Sequence, residues 1–371
     1  AEAKALGIHR GDSFFSLAEI VKHANVEVFS SNYALYQDLS DRVMETLLSS
    51  VGSCRPYSID EAFFTVETTG QAFVDGLRKE MLVKTGIPVS ISVARTRTLA
   101  KLANEVSKHN ATGAYSLPVE DEERLLKASP AGEVWGIGWG SAAKLDRFKI
   151  KTAWDYANRD DLWIRKHFFV TGLRTALELR GCDAVSLEAE NCQNLCSGIS
   201  FGVPLQSEDE VSIALSCHCS SLSEKLHKRN LLATVMTVSL FTDRFKENFI
   251  HPAGSVRLWR PSSYTPDLIK AANRILSLIY HPAKYKGCRV WVSDLIPDDY
   301  RQFELADSPA MVQHVQKCDQ VAQVVSSIQD TYGRTAIVCA SSYMKNKADL
   351  MRQEHLSPHY TTRWGDLPSV T

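Results

Sequence analysis

Two adjacent carboxylates, Asp60 and Glu61, sit within Tyr57-Ser58-Ile59-Asp60-Glu61-Ala62-Phe63-Phe64, between two runs of strand-forming residues. A hairpin turn carrying two such side chains offers hard oxygen donors, which suit Mg²⁺ bound through one or two carboxylates together with substrate phosphates. Phosphoryl transfer by two metal ions uses a pair of this kind. The flanking residues are apolar, so the acids are expected to be buried, where two carboxylates repel each other unless a cation neutralises them. Solvated acids at a surface turn have the same spacing, and spacing alone leaves both readings open.

A second pattern follows an alternating stretch at 89–93. Thr96-Arg97-Thr98-Leu99-Ala100-Lys101-Leu102-Ala103-Asn104-Glu105-Val106-Ser107-Lys108 puts hydroxyls and cations at a helix start and a further lysine at its far end. That arrangement can grip a polyphosphate; an amphipathic helix with a wet face has the same pattern. The third pattern is Val134-Trp135-Gly136-Ile137-Gly138, with Ala143-Lys144-Leu145 downstream. A glycine-apolar-glycine turn between short helices is the helix-hairpin-helix pattern, whose glycines let backbone N–H groups approach a DNA phosphate without Cβ interference. Plain tight turns also contain such triplets.

The elements that position these residues follow from apolar periodicity. Residues 34–50 read as a helix with Leu35, Leu39, Val43 and Leu47 near one face, and 54–58 and 62–66 as strands flanking the acidic turn. A helix over 71–84, a strand over 89–93 and a helix over 97–109 complete a ββαβα order, which predicts an α+β sheet covered by helices on one face. Residues 123–186 read as all-helical and 187–195 as a linker. From 196 to 296 the order is βαββαβ, predicting a separate small domain of the ferredoxin-like kind. A helix at 309–330, a strand at 335–340 and a polar, Pro-containing ending follow.

The chain of 371 residues is 44% hydrophobic and 23% charged, with 42 Lys and Arg against 43 Asp and Glu, which is ordinary for a soluble protein of several compact units. No apolar run approaches membrane-span length and no signal peptide is visible, so no membrane partner is expected. Nine irregularly spaced Cys favour a reducing cytoplasm over a disulfide framework. A net charge of −1 is low for a nucleic-acid binder, unless Lys and Arg gather on one face. Cys217-His218-Cys219, with Cys192 and Cys196 upstream, has the atoms for zinc, but positions two apart on a helix diverge, and ordinary buried residues are expected.

Taken in order and spacing, SIDEAF, TLAKLAN and VWGIG resemble the Y-family translesion DNA polymerases, and within them the UmuC group, whose members are catalytic subunits of bacterial DNA polymerase V. Ser30–Tyr36 (SSNYALY), Ile164–Phe168 (IRKHF) and Leu356–Thr362 (LSPHYTT) extend the resemblance along nearly the whole chain. It implies a right-hand α+β fold: a fingers remnant at 1–52, a palm at 53–122, a thumb with the helix-hairpin-helix at 123–186, a βαββαβ little finger at 195–297 and a partner-binding tail at 298–371.

The implied activity is error-prone translesion synthesis in the SOS response, by template-directed nucleotidyl transfer from dNTP to a primer 3′-hydroxyl with two Mg²⁺ ions. Asp60 and Glu61 match the metal-binding carboxylates, while Lys4, Lys108 and Tyr36 match positions that contact the dNTP triphosphate. Gly136, Ile137, Gly138, Lys144, Lys225, Lys228 and Arg229 are the expected DNA contacts. Primer-template and damaged DNA, a UmuD′ dimer, a RecA filament and the β sliding clamp are the implied partners, in a cytoplasmic, nucleoid-associated setting. Gln302 and Leu305 match a clamp-binding peptide, with Ala306 where the group has an aromatic residue. The group also has an Arg before Ser-Phe-Gly, where Ile199 stands here.

The resemblance further implies a strand before Ala1 that bears another metal-ligating Asp and an aromatic steric gate, so the chain as written is expected to bind DNA without extending it. A non-catalytic DNA-binding subunit of the damage response is the alternative from another class. An unrelated metal-dependent phosphohydrolase is a third, and the helix-hairpin-helix pattern argues against it.

Overall fold

The computed structural model describes residues 2–186, 193–300, 308–333, 336–342 and 354–367. In chain order it forms α1 (Glu2–Ala5), α2 (Phe14–His23), α3 (Tyr33–Val51), β1 (Cys54–Pro56), β2 (Ala62–Phe64), α4 (Gln71–Thr85), β3 (Ile91–Val93), α5 (Arg97–His109), β4 (Ala114–Ser116), α6 (Val119–Ala128), α7 (Trp139–Arg147), α8 (Ala153–Ala157) and α9 (Asp161–Leu179). Then come β5 (Asn194–Leu205), α10 (Glu208–His227), β6 (Leu231–Phe241), β7 (Ala253–Ser262), α11 (Thr265–Ile279), β8 (Tyr285–Ser293), β9 (Ile296–Pro297) and α12 (Pro309–Tyr332). Two compact units result, Ser31–Glu188 with Ser357–Thr371, and Ala1–Ser30 with Ala189–Leu356. Their boundary falls inside the segment 1–52 that the sequence suggested as one piece. None of the described helices is long and apolar enough to cross a membrane.

In the first of these units, Asn32 explains why α3 starts where it does. Its Oδ1 accepts from the Leu35 N–H at 3.3 Å, and its Nδ2 donates to the Ser357 carbonyl at 3.1 Å. SSNYALY and LSPHYTT, noticed separately in the sequence, therefore meet at one buried amide. Strands β1 and β2 pair antiparallel, with Cys54 opposite Phe64 and Pro56 opposite Ala62, leaving Asp60 and Glu61 in the connecting turn. Strands β3 and β4 pair parallel, Ile91 with Ala114, across the α5 connection.

The expected single sheet is corrected here: among the described residues there are two separate two-stranded ladders. A groove of about 760 Å³ is lined by Phe63 and Phe64 of β2 and by Ser92 and Val93 of β3. Nothing in the sequence signalled β4, because three residues are too few to show alternation; β3 supplies the hydrogen-bonding edge that makes it a strand. A core of Leu47, Val74, Leu77, Met81, Ile91 and Val93 lies under these ladders.

Helix α5 is fixed at its start by a residue far away in sequence. The Thr96 side chain caps it and donates to the Glu178 carbonyl at 2.8 Å. Glu178 is fully buried, and its carboxylate accepts from the N–H groups of Thr98 (2.9 Å), Ala184 (3.1 Å) and Val185 (3.1 Å). An anion at a helix N-terminus answers both the orphan donors and the helix dipole. Leu99, Leu102 and Ala103 of α5 then join Leu145, Ile150, Tyr156, Ile164 and Leu179 in the core of the all-helical region. Helix α9 breaks at Phe169, whose φ of 60° and ψ of −168° are not helical.

In the second unit, β5, α10, β6, β7, α11 and β8 realise the expected βαββαβ order. The ferredoxin-like assignment is corrected. The sheet order is β5-β8-β6-β7, antiparallel throughout, so the fourth and second strands of the unit are central, where a ferredoxin-like sheet centres its first and third. The periodicity that defines each strand is the same in either order; which edges meet depends on how α10 and α11 cover one face. Leu215, Leu222, Leu226, Leu268, Ile275 and Leu276 of the helices pack on Met236, Val238, Leu240, Val290 and Val292 of the sheet.

The strand expected at 335–340 is absent from the part that is described: 336–339 is irregular and leads into a 3₁₀ turn at Ala340–Ser342. No strand edge is offered to it there, and a strand without a ladder leaves its backbone groups unpaired. At Cys217-His218-Cys219, His218 and Cys219 point into the core while Cys217 Sγ lies 3.1 Å from the Ser342 carbonyl, and among the described residues no group of three or more His, Cys, Asp or Glu is placed to hold a metal ion. Cys192 lies outside the described residues.

Burial pushes the His218 imidazole down to about 4, helped by the nearby Lys225 charge. Its Nδ1 meets Ser197 Oγ at 2.9 Å, and its Nε2 has no partner. The folded state therefore prefers neutral His218, and its contribution is complete above the ordinary pKa near 6.5 and lost as pH falls toward 4. We expect wild type to lose about 3 kcal/mol more stability than His218→Leu over that window, read from paired pH series of denaturant melts of this unit. Parallel series for the two proteins would contradict the neutral buried imidazole.

Candidate active site and nucleic-acid interface

The acidic turn is tightly built. Tyr57 and Ser58 N–H groups both donate to the Glu61 carbonyl, at 2.8 and 3.1 Å, and Ser40 of α3 donates to the Ile59 carbonyl. Asp60 is exposed and its Oδ1 accepts from Ser58 Oγ at 2.6 Å. The Glu61 side chain is 43% exposed and its Oε2 lies 2.7 Å from Lys101 Nζ. The burial expected from apolar neighbours is thus corrected: those neighbours belong to the strands, while the turn itself projects into solvent. Two exposed carboxylates need no neutralising cation to exist. They remain a donor pair suited to Mg²⁺ taken together with substrate phosphates and water, rather than to an all-protein cage.

Lys101 is the residue that sequence reasoning passed over. Only 22% of its side chain is exposed, and its ammonium lies 5.2 Å from the Tyr57 ring centroid, 6.0 Å from Phe63 and 5.9 Å from Trp135. Trp135 Nε1–H donates to Tyr57 Oη at 3.2 Å, and the three rings stand 5.5 Å apart pairwise. The three sequence patterns, acidic turn, α5 and glycine turn, therefore converge on one lysine. Its spacing from the helix start, one residue from each of two apolar positions, was the available signal; what it would face was not.

The other expected triphosphate contacts are dispersed. Lys108 is exposed at the end of α5 and pairs with Glu105 at 2.6 Å. Tyr36 is 44% exposed on α3, edge-on to Tyr33 at 6.3 Å. Lys4 lies exposed in α1, in the other compact unit. Gln302 and Leu305 lie outside the described residues.

At the glycine turn, Gly136 has φ of +90° and an added Cβ would stand 3.0 Å from Thr175 Oγ1. Ile137 is buried and anchors the turn, whereas Gly138 caps α7 and an added Cβ there would meet nothing within 4 Å. The element preceding the turn is one 3₁₀ turn, Ala131–Glu133, rather than an α-helix. Lys144 points away from this turn: its Nζ donates to the His167 carbonyl beside the α9 break and lies 5.2 Å from the Phe168 ring.

In the second unit, Lys225 donates to the Cys196 carbonyl at 2.8 Å, Lys228 pairs with Glu224 at 2.9 Å, and Arg229 is exposed in the turn after α10. The sheet face opposite the helices carries cations that the sequence reading did not select. Arg289 of β8 lies between Gly198 and Ser239 in register, with its guanidinium 5.8 Å from the Phe241 ring. A Cβ on Gly198 would fall 2.5 Å from Arg289 Cγ, so the glycine makes room for the arginine to lie along the sheet. Arg257 and Trp259 of β7 are exposed on the same side, Trp259 at 60%. Alternation with buried Val290 and Val292, and with half-buried Val256 and Leu258, was the signal that could have found them.

The fold of a chimeric Y-family polymerase built from Dbh and Dpo4 matches with a TM-score of 0.64 at 17% identity, over 80% of this chain and 86% of that one. The model of the impB/mucB/samB family matches residues 1–105, the model of that family's C-terminal domain matches 193–305, and a domain of unknown function matches 319–370. Protein UmuC of Salmonella typhimurium is 33% identical, in an alignment taking in 100% of this chain and 90% of that protein. DNA polymerase IV of Clostridium acetobutylicum is 23% identical over 91% of this chain and 84% of its own length. The chain belongs to the impB/mucB/samB family and is a UmuC-like Y-family DNA polymerase.

The two glycines should separate in their effects on folding. Gly136→Val forces a β-branched residue to positive φ against Thr175 and should cost about 1–3 kcal/mol, whereas Gly138→Val should melt within a degree or so of wild type. Thermal unfolding of the pair followed by circular dichroism checks this, and equal losses would contradict the geometry of the turn.

Proposed function

We propose that this chain performs error-prone translesion DNA synthesis, transferring a nucleotide from dNTP to a primer 3′-hydroxyl under template direction, in the SOS response to DNA damage. The observation that carries the reading is the convergence of the acidic turn, α5 and the glycine turn on the Glu61–Lys101–Trp135 cluster, in a chain with full-length UmuC similarity. Asp60 and Glu61 would hold Mg²⁺; when bound, the metal ions lower the charge on the reacting phosphate and favour the primer alkoxide. The exposed turn leaves both carboxylates accessible to a phosphate-borne cation, and the Ser58 and Lys101 contacts limit how far each can swing.

The expected triphosphate contacts, Lys108, Tyr36 and Lys4, are exposed and therefore available to a ligand; they need not move out of a core. The nucleic acid would be held at two places. Gly138 at the N-terminus of α7 would bring backbone N–H groups to a phosphate, because no protein atom occupies the space in front of it. The sheet face with Arg257, Trp259 and Arg289 would receive a second stretch of backbone, a role we add to that expected of Lys225, Lys228 and Arg229. In this reading the acidic-turn unit comprises palm and thumb, and the βαββαβ module is the little finger. A UmuD′ dimer, a RecA filament and the β clamp are its proposed partners by family resemblance.

Asp60→Ala and Glu61→Ala, made in the protein as the cell produces it, should each lower primer extension by about a hundred-fold or more while leaving primer-template affinity within about two-fold. Substantial extension by either variant would remove the turn from the catalytic site. DNA binding without synthesis by wild type would identify a binding subunit instead.

Grip on DNA should fall steeply with salt, since each phosphate contact releases counterions. Arg289→Ala should reduce the slope of log affinity against log salt by roughly one, and Gly138→Val should weaken binding at unchanged thermal stability. Fluorescence anisotropy on a labelled primer-template measures both. A salt-independent affinity would sink the interface as drawn.

A further inference from the structure

We infer that the C-terminal segment 357–366 is a positioning element for the nucleotide site, acting through Asn32 and α3. The inference rests on the polymerase reading of α3 and the acidic turn. Asn32 is 1% exposed and divides its amide between two tasks. Its Oδ1 caps α3 through the Leu35 N–H at 3.3 Å. Its Nδ2 donates to the Ser357 carbonyl at 3.1 Å and to Ser357 Oγ at 3.2 Å, with the Pro358 carbonyl at 3.5 Å. The segment so held is closed on itself. The His359 N–H donates to Asp366 Oδ2 at 2.9 Å, and the His359 ring Nδ1 lies 3.3 Å from the same oxygen. It ends the region matched by the domain of unknown function, and it belongs to the same compact unit as the acidic turn.

The consequence follows from what α3 carries. About one turn beyond Asn32 stands Tyr36, an expected triphosphate contact. Its N–H donates to the Asn32 carbonyl at 3.0 Å, and its ring lies edge-on to Tyr33. About one turn further, Ser40 donates to the Ile59 carbonyl, directly before Asp60. Ser40 thus ties the middle of α3 to the acidic turn whatever becomes of the helix start. A first helical turn has orphan N–H groups and frays unless it is held. The Asn32 cap fixes the conformation of that turn; the tail fixes its place. Releasing the tail leaves the acidic turn where it is and lets Tyr36 shift, so nucleotide affinity falls and the chemical step does not. Asn32 and Ser357 touch no reacting atom in this scheme; they set where Tyr36 stands.

Asn32→Asp separates the two tasks, because a carboxylate caps as well as an amide but cannot donate to Ser357, whose carbonyl it would face. A second variant ends the chain after Leu356. Primer extension by the protein as the cell produces it gives the dNTP KM and kcat of each. Both variants should raise KM roughly five-fold with kcat within about two-fold of wild type, the size of a coupling carried through one packed element. In the shortened chain Asn32→Asp should add nothing, since the two changes remove one contact. Hydrogen exchange should show 357–366 losing protection in Asn32→Asp while the α3 amides keep theirs. A purely structural role would instead lower the active fraction, and hence kcat, with KM unmoved. Should the shortened chain fail to fold, Asn32→Asp and its exchange pattern decide the matter. Unchanged KM, with Asp60→Ala still inactive, overturns the positioning role alone, and retained protection of 357–366 contradicts the clasp itself. Extension that survives Asp60→Ala removes the turn from the site, and this inference with it.

Discussion

The buried carboxylate of Glu178 is the constraint on which the arrangement of the first unit depends. A fully buried anion is costly unless its lone pairs are answered, and here three backbone N–H groups answer them, one from the start of α5 and two from the segment after α9. The contact fixes where α5 begins and which way it points. Because α5 is rigid, its direction also fixes Lys101, four residues into the helix, and with it the partner of Glu61. Charge buried at the start of the helix thus determines the charge presented about one turn further along it. The break in α9 at Phe169 lies between the segment that carries Glu178 and the one whose carbonyl takes Lys144, so the same helix serves both ends of the helical region.

Near-neutral overall charge is compatible with a nucleic-acid role because the cations are sorted rather than abundant. Some lysines and acids of the helices neutralise one another locally, as in Lys84–Glu80 and Lys127–Glu123. Such exposed pairs add little to stability but remove those lysines from the pool available to phosphates. Arg289 stands instead on a sheet face beside Gly198, Ser239 and the Phe241 ring, and Arg257 is exposed opposite Val235 on the same face. Their planar guanidinium groups suit phosphate better than a lysine would.

Both units meet the same physical problem, a sheet with one covered and one open face, and solve it differently. In the second, α10 and α11 cover one side of a continuous antiparallel sheet, leaving the other side polar, basic and aromatic. In the first, two short ladders are held apart, with a groove between the edges of β2 and β3. Their helices supply most of the apolar core, which explains how three-residue strands persist at all.

Local chemistry was readable directly. Alternation and apolar stripes marked nearly every long helix and strand, including α3, α5, α10 and the strands of the second unit, because burial of one face imposes a period that survives any change of partner. Residues that cap or turn the chain were equally legible, among them the Asp60–Glu61 turn and the Gly136–Gly138 turn. Tertiary structure alone decided which of these meet. No spacing rule says that Lys101 faces Glu61 inside three rings, that Lys144 serves the α9 break, or that β8 and β6 rather than β5 lie at the centre of the sheet. Nor could apolar neighbours show that Asp60 is exposed, since a side chain's environment is made by elements distant in sequence. Periodicity records which face is buried; it carries no record of what buries it.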